Sequence, residues 1–202
     1  AKAVMYVRGD VEGSKCANKH DGAVGVLGAL HSLPVVTPRL AATGPSSCPS
    51  SSNSKKPSAR QPVVGVIDLP ALGERYVATR GGGCRRNGQP VFCSQSEDLR
   101  RSIVSTGDPI CFEFAGRRPL FERITREVPL VRGYTDAFGH AQTISGGIDA
   151  MVDCDLNPWD AAATQLLAVE AGGACETRIG ARGKIDLIFG SKALVEQLVE
   201  MF

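Results

Sequence analysis

The sequence predicts a layered α+β domain, and three observations predict it. Strand-like and helix-like patterns alternate from residue 100 to the C-terminal end, residues 61–100 hold short apolar runs separated by turn residues, and the composition suits an ordinary globular core. Hydrophobic residues make up 43% and charged residues 22% of the 202, which excludes a wholly disordered chain and a fibrous repeat. Lys and Arg number 23 against 21 Asp and Glu, so the net charge of +2 gives no footing for a nucleic-acid or membrane-surface partner, and neither is expected. No apolar run reaches the ~18–20 residues that span a bilayer, and the first residues lack signal-peptide anatomy. The expectation is a soluble intracellular protein of the cytoplasm or the plastid stroma. Seven scattered cysteines without a C-x-x-C pair predict thiols in a reducing compartment rather than a disulfide framework or a zinc knuckle. The chain begins with Ala, which reads as processing or as a piece of something longer.

Taken in order, residues 23–36 are apolar enough for a buried strand that Pro34 limits. Residues 41–60 are rich in Ser and Pro with little to bury, and are expected to be a disordered insertion. Residues 62–68 and 74–80 read as two strands around a turn at 70–73, and Asn87-Gly88 marks a further hairpin because both residues tolerate positive φ. Strands are expected at 102–106, 128–132, 148–153 and 185–189. Helices are expected at 119–127 and 137–145, after the strand at 148–153, and at 192–202. In the last of these, Leu194, Val195, Leu198, Val199 and Phe202 recur at helical spacing and predict one buried face. Gly81-Gly82-Gly83 lacks a following Gly-Lys-Ser/Thr and reads as a turn rather than a nucleotide site.

Chemistry concentrates in Asp153-Cys154-Asp155-Leu156-Asn157-Pro158-Trp159-Asp160. Asn157 suits an N-cap, Pro158 the first helical position and Gly172 the residue beyond the helix end. Asp160 then falls in the first turn, with Asp153 and Asp155 across a short loop. Clustered carboxylates at a strand-to-helix junction suit a hard, oxygen-preferring cation such as Mg2+. An aspartate in a first helical turn is also favourable simply by facing the helix dipole, so spacing alone leaves both readings open.

The run from Asn157 to Ala162, followed by Val169-Glu170-Ala171-Gly172-Gly173, resembles the W-D-x-A-A and E-A-G-G signature of inositol-monophosphatase-like, Mg2+-dependent phosphatases. Gly65-Val66-Ile67-Asp68 and the Arg80 to Gly88 segment resemble that family's hairpin and Gly-x-Asn-Gly loop in the expected order. Tyr134-Thr135-Asp136-Ala137-Phe138-Gly139-His140 looks most like the histidinol-phosphatase branch, with Thr135 where that branch prefers Gly. The resemblance implies a layered α/β sandwich of the inositol-monophosphatase and sugar-phosphatase type, incomplete at the N-terminus. It divides the chain into a partial N-terminal part at 1–40, the insertion at 41–60 and the C-terminal part of a phosphatase domain at 61–202.

The same resemblance implies hydrolysis of a small-molecule phosphate monoester, histidinol phosphate first and inositol monophosphate or a sugar phosphate second. Mg2+ is the cofactor, and a homodimer is the candidate assembly. Asp160 matches a metal ligand, while Asp136 and Asp153 would bind substrate, a carboxylate at 136 suiting a cationic amino alcohol phosphate. Upstream, the family's Glu-Glu pair is missing, and Gly9-Asp10-Val11-Glu12-Gly13-Ser14 echoes its D-P-x-D-G-T loop. On that echo Glu12 is a further metal ligand, with Asp10 as another substitute, and Gly13 and Ser14 bind phosphate. Two-metal chemistry needs several fixed carboxylates, and Asp160 alone does not supply them. The chain is therefore either a truncated or mis-assembled enzyme, or a degenerate member with an interaction role.

Overall fold

The structure, a computed structural model, describes residues 26–31 and 62–202. The expected insertion at 41–60 and the residues from Gly9 to Ser14, with Asp10, Glu12 and Gly13 among them, lie outside that range. The first sheet is antiparallel and runs in chain order: β1 (Val26–His31), β2 (Pro62–Leu69), β3 (Glu74–Thr79), β4 (Cys84–Arg86) and β5 (Gln89–Pro90). Its turns follow from the residues expected to make them. Pro70 opens a short 3-10 turn that Gly73 closes at φ 65°, and Asn87 and Gly88 take φ 48° and 84°. The Asn87 side chain ties the two turns together, accepting from the Arg75 N–H at 2.8 Å and donating to the Gly73 carbonyl at 2.8 Å.

The second sheet is mixed. It contains β6 (Ile103–Thr106), β7 (Leu130–Arg132), β8 (Ala150–Leu156), β9 (Ala174–Ile179) and β10 (Ile185–Gly190), in the order β7-β6-β8-β10-β9. β6 runs parallel to β7 and β8, while β10 runs antiparallel to β8 and β9. Among the described residues there are five α-helices: α1 (Pro109–Phe114), α2 (Arg118–Glu127), α3 (Asp136–Ile144), α4 (Pro158–Glu170) and α5 (Lys192–Val199).

Strand alternation sorts these pieces into layers. Ile67, Leu69, Tyr76 and Ala78 from the first sheet meet Met151, Leu187 and Phe189 from the second across Ala141 and Ile144 of α3 and Ala163 and Leu167 of α4, all buried. On the other face of the second sheet, Val104, Val152, Cys154 and Ile188 pack with Phe112 of α1, Ile124 of α2 and Leu194 and Leu198 of α5. The helices α3 and α4 are thus sandwiched between two sheets. The apolar alanines of α4 let it approach β2 closely: a Cβ on Gly65 would lie 2.9 Å from the Ala163 carbonyl oxygen. That atom is backbone and cannot swing away, so Gly65→Val is expected to lower unfolding free energy by about 1–3 kcal/mol in urea titration.

Two elements have no counterpart among the sequence-based expectations. β9 is half-exposed along its length and alternates Cys175, Thr177 and Ile179 with charged residues, so it carries no continuous apolar run. α1 is only six residues long, started by Asp108, whose carboxylate accepts from the Ile110 N–H at 3.0 Å, and by Pro109. The strand expected at 148–153 lies instead at Ala150–Leu156. There Leu156 still pairs with Ile185, past a register shift and past Asp155 at φ 58°. Asn157 alone therefore separates β8 from α4, a tighter junction than the loop of residues 154–157 that the sequence suggested.

Candidate active site

The tight β8–α4 junction fixes Asp160. Pro158 occupies the first helical position and Asp160 falls in the first turn, half-buried. Asn157 holds the N-cap position without capping through its side chain. Its Nδ2 instead donates to Asp160 Oδ2 at 2.9 Å, while its Oδ1 accepts from Lys184 Nζ at 2.9 Å. The residue expected to cap the helix thus orients the carboxylate. Trp159, beside it, is 39% exposed rather than packed into the core.

Asp153 sits on β8 with 4% exposure and faces α3, where His140 Nε2 lies 3.1 Å from its Oδ2. Asp136 opens α3 in the left-handed region at φ 54°. Asp136 is exposed as a residue, yet nearby protein withdraws part of the water around its carboxylate. That desolvation, then the Asp153 carboxylate and less strongly Asp160, raise its pKa above the ordinary aspartate range, with His140 acting against them. Asp153 and Asp160 thus both act electrostatically on Asp136. Asp155 belongs elsewhere. Its carboxylate faces Arg182 at 3.4 Å and Lys184 at 3.9 Å. Asp186 accepts from the Asp155 N–H at 3.2 Å and from Arg117 at 3.0 Å.

In kind, these oxygen donors suit Mg2+; in number they do not. Among the described residues, no three His, Cys, Asp or Glu side chains converge closely enough to hold a metal ion. The described thiols offer no alternative nucleophile at the site. Cys111, on α1, is pushed up to about 11 by burial first and by Asp153 second.

The Gly81 to Gly83 loop is a turn, and it does bind an anion, though one from the chain itself. Glu170, at the end of α4, accepts from the Gly81 N–H at 2.7 Å and the Gly83 N–H at 2.9 Å. Both glycines have φ 74°. The glutamate of the E-A-G-G run thus ties α4 to the first sheet. Glu170→Ala is expected to cost about 1.5–3 kcal/mol in thermal or denaturant unfolding, the range for hydrogen bonds to a charged group.

A family model described as the inositol monophosphatase family matches residues 58–197, most of the chain. The chain belongs to the inositol monophosphatase family. Over 140 residues it is 35% identical to a histidinol-phosphatase of Chlorobaculum parvum, covering 67% of this chain and 54% of that protein. Over 130 residues it is 34% identical to an inositol monophosphatase of Dictyostelium discoideum, covering 62% of this chain and 47% of the relative. The fold agrees. The Thermotoga maritima IMPase superposes with a TM-score of 0.59 at 27% identity, over 70% of this chain and 56% of that one. The suhB protein of Bartonella henselae gives 0.62 at 27% identity, with the same shares covered. The α+β sandwich of this family is therefore the fold of the chain, which spans about half the length of the curated relatives it matches. No helix among the described residues is long and apolar enough to cross a membrane.

Sequence reasoning placed Asp136, Asp153 and Asp160 but gave no role to His140, Thr164 or Gly107. A Cβ on Gly107 would lie 2.0 Å from Asp153 Oδ1. The available signal was spacing: His140 follows Asp136, and Thr164 follows Asp160, by one helical turn of four residues.

Proposed function

We propose that this chain carries the substrate-facing half of a phosphate monoester hydrolase, whose substrate is a cationic amino alcohol phosphate of the histidinol phosphate type. The observation that carries this reading is the shared neighbourhood of Asp136, Asp153 and Asp160 at the starts of α3 and α4 and along β8. Three carboxylates, with no ion pair to Asp136 among the described residues, favour a ligand that brings positive charge, which a neutral polyol phosphate does not. The identity to a histidinol-phosphatase supports the same substrate class.

In this reading Asp136 and Asp153 bind the amino alcohol end, and Asp160 supplies one oxygen ligand to Mg2+, with the remaining ligands lying outside the described residues. When bound, the ion would supply charge neutralisation at the phosphate and a more acidic water. What the described residues do themselves is narrower. Asn157 aims Asp160 and His140 holds Asp153. A second reading, a member that interacts with a homologue rather than catalysing, is favoured by one observation: the described residues do not complete a metal cluster.

Asp136→Asn separates the substrate classes. In a catalytically complete protein, KM for L-histidinol phosphate is expected to rise about tenfold or more, the size of one lost charged hydrogen bond, while inositol 1-phosphate is affected less than threefold. An equal effect on both substrates would contradict the assignment. Acid should mimic the substitution, because a protonated Asp136 carries no charge. Since its pKa is raised, affinity for the cationic ligand is lost as pH falls, beginning at a higher pH than for an ordinary aspartate.

A further inference from the structure

We propose that Thr164 and His140 are positioning residues that fix the orientation of the Asp153 carboxylate through a hydrogen-bond chain of fixed direction, an inference that rests on Asp153 binding the substrate as proposed above. His140 is 1% exposed, so its ring nitrogens are partnered by protein alone. Nδ1 lies 2.7 Å from Thr164 Oγ1 and Nε2 lies 3.1 Å from Asp153 Oδ2. A carboxylate only accepts, so the ring hydrogen facing it must sit on Nε2. A neutral imidazole with its hydrogen there leaves Nδ1 as an acceptor, and the Thr164 hydroxyl is the donor that fills it. With a neutral ring the direction runs from α4 through α3 to β8: Thr164 donates to His140, and His140 donates to Asp153.

Two features make this more than a satisfied buried histidine. The chain lies one helical turn along from Asp136 and Asp160, since His140 follows Asp136 on α3 and Thr164 follows Asp160 on α4. It therefore ties together the three elements that carry the candidate site residues. It also engages only Oδ2 of Asp153, while Oδ1 lies against Gly107, where the missing side chain leaves room for it. The His140 ring itself is fixed from a second direction by Phe189, edge to face at 5.0 Å and 70°. With the ring held, the Asp153 carboxylate is fixed in one orientation.

The test uses the 202-residue chain labelled with 15N, with the His140 ring signals identified by their loss in His140→Gln. The expected result is the Nε2–H tautomer with a slowly exchanging ring proton. Thr164→Val keeps the shape but removes the hydroxyl, and should lose that single tautomer and weaken L-histidinol binding about tenfold by calorimetry. Thr164→Ser restores the donor and should return both readouts to within about twofold of the parent. An Nδ1–H tautomer in the parent, or unchanged L-histidinol affinity in Thr164→Val, would overturn the proposal. A parent chain with no L-histidinol affinity at all would overturn the substrate reading instead, and the ring spectra would still decide whether the hydrogen-bond chain exists.

Discussion

Asp160→Asn is expected to lower kcat for phosphate monoester hydrolysis by at least about 100-fold, in a protein extended upstream by the Glu-Glu pair and D-P-x-D-G-T loop that this family resemblance implies. Loss of a residue that merely supports a ligand already costs about 10–100-fold in metal affinity or activity, so loss of a ligand sets that as the lower bound. The substitution is nearly isosteric, and helix α4 keeps Pro158 and its start. What changes is the oxygen that Asn157 Nδ2 holds at 2.9 Å: an amide here carries no charge and offers a hard cation one neutral oxygen. The concentration of Mg2+ giving half-maximal rate should rise in parallel. Asp155→Asn is the control. Its carboxylate already faces Arg182 and Lys184, and its removal should change kcat less than about threefold, as expected for a partly exposed ion pair. Equal losses in the two variants would remove Asp160 from the site.

Gly107→Ala should act on Asp153 alone. The added methyl would start 2.0 Å from Oδ1, well inside contact distance, and the carboxylate cannot simply rotate away while His140 holds Oδ2. The Gly107 N–H is also fixed, donating to the Val152 carbonyl at 2.9 Å, so the methyl cannot retreat with its backbone. L-histidinol affinity should fall about 10–100-fold, the loss of one well-placed charged contact, measured by calorimetry on the same chain. Wild-type affinity in Gly107→Ala would mean that Asp153 does not touch the ligand.

Residues governed by strong local rules are legible in the sequence itself. The turns at Gly73 and at Asn87-Gly88 follow from positive φ, and the start of α4 follows from Asn157-Pro158 and its end from Gly172 at φ 81°. Even there the role differs from the rule, since Asn157 spends its side chain on Asp160 and Lys184 rather than on helix N–H groups. Elements that draw their stability from neighbours are not legible. β9 reads as polar because it lies at a sheet edge and is half-exposed, and α1 is too short to show a period. The site is legible as a set of carboxylates and illegible as a geometry. Asp153 and Asp155 look alike in sequence, yet strand alternation turns Asp153 toward His140, while Asp155 at φ 58° faces two cations. Glu170 is the converse case. It stands within a family signature with no task assigned by sequence, and the fold gives it one, closing the Gly81 to Gly83 turn.

If residues 62–202 form the substrate-facing part of a phosphatase whose remaining metal ligands lie upstream, the chain alone should be nearly inactive. Phosphate release from L-histidinol phosphate in saturating Mg2+, compared between the 202-residue chain and the upstream-extended protein, tests this most directly. Turnover by the shorter chain is expected at about one hundredth of the extended protein's rate or less, because its sequence holds no Glu-Glu pair and only an echo of the D-P-x-D-G-T loop. Comparable Mg2+-dependent turnover by the two would contradict it.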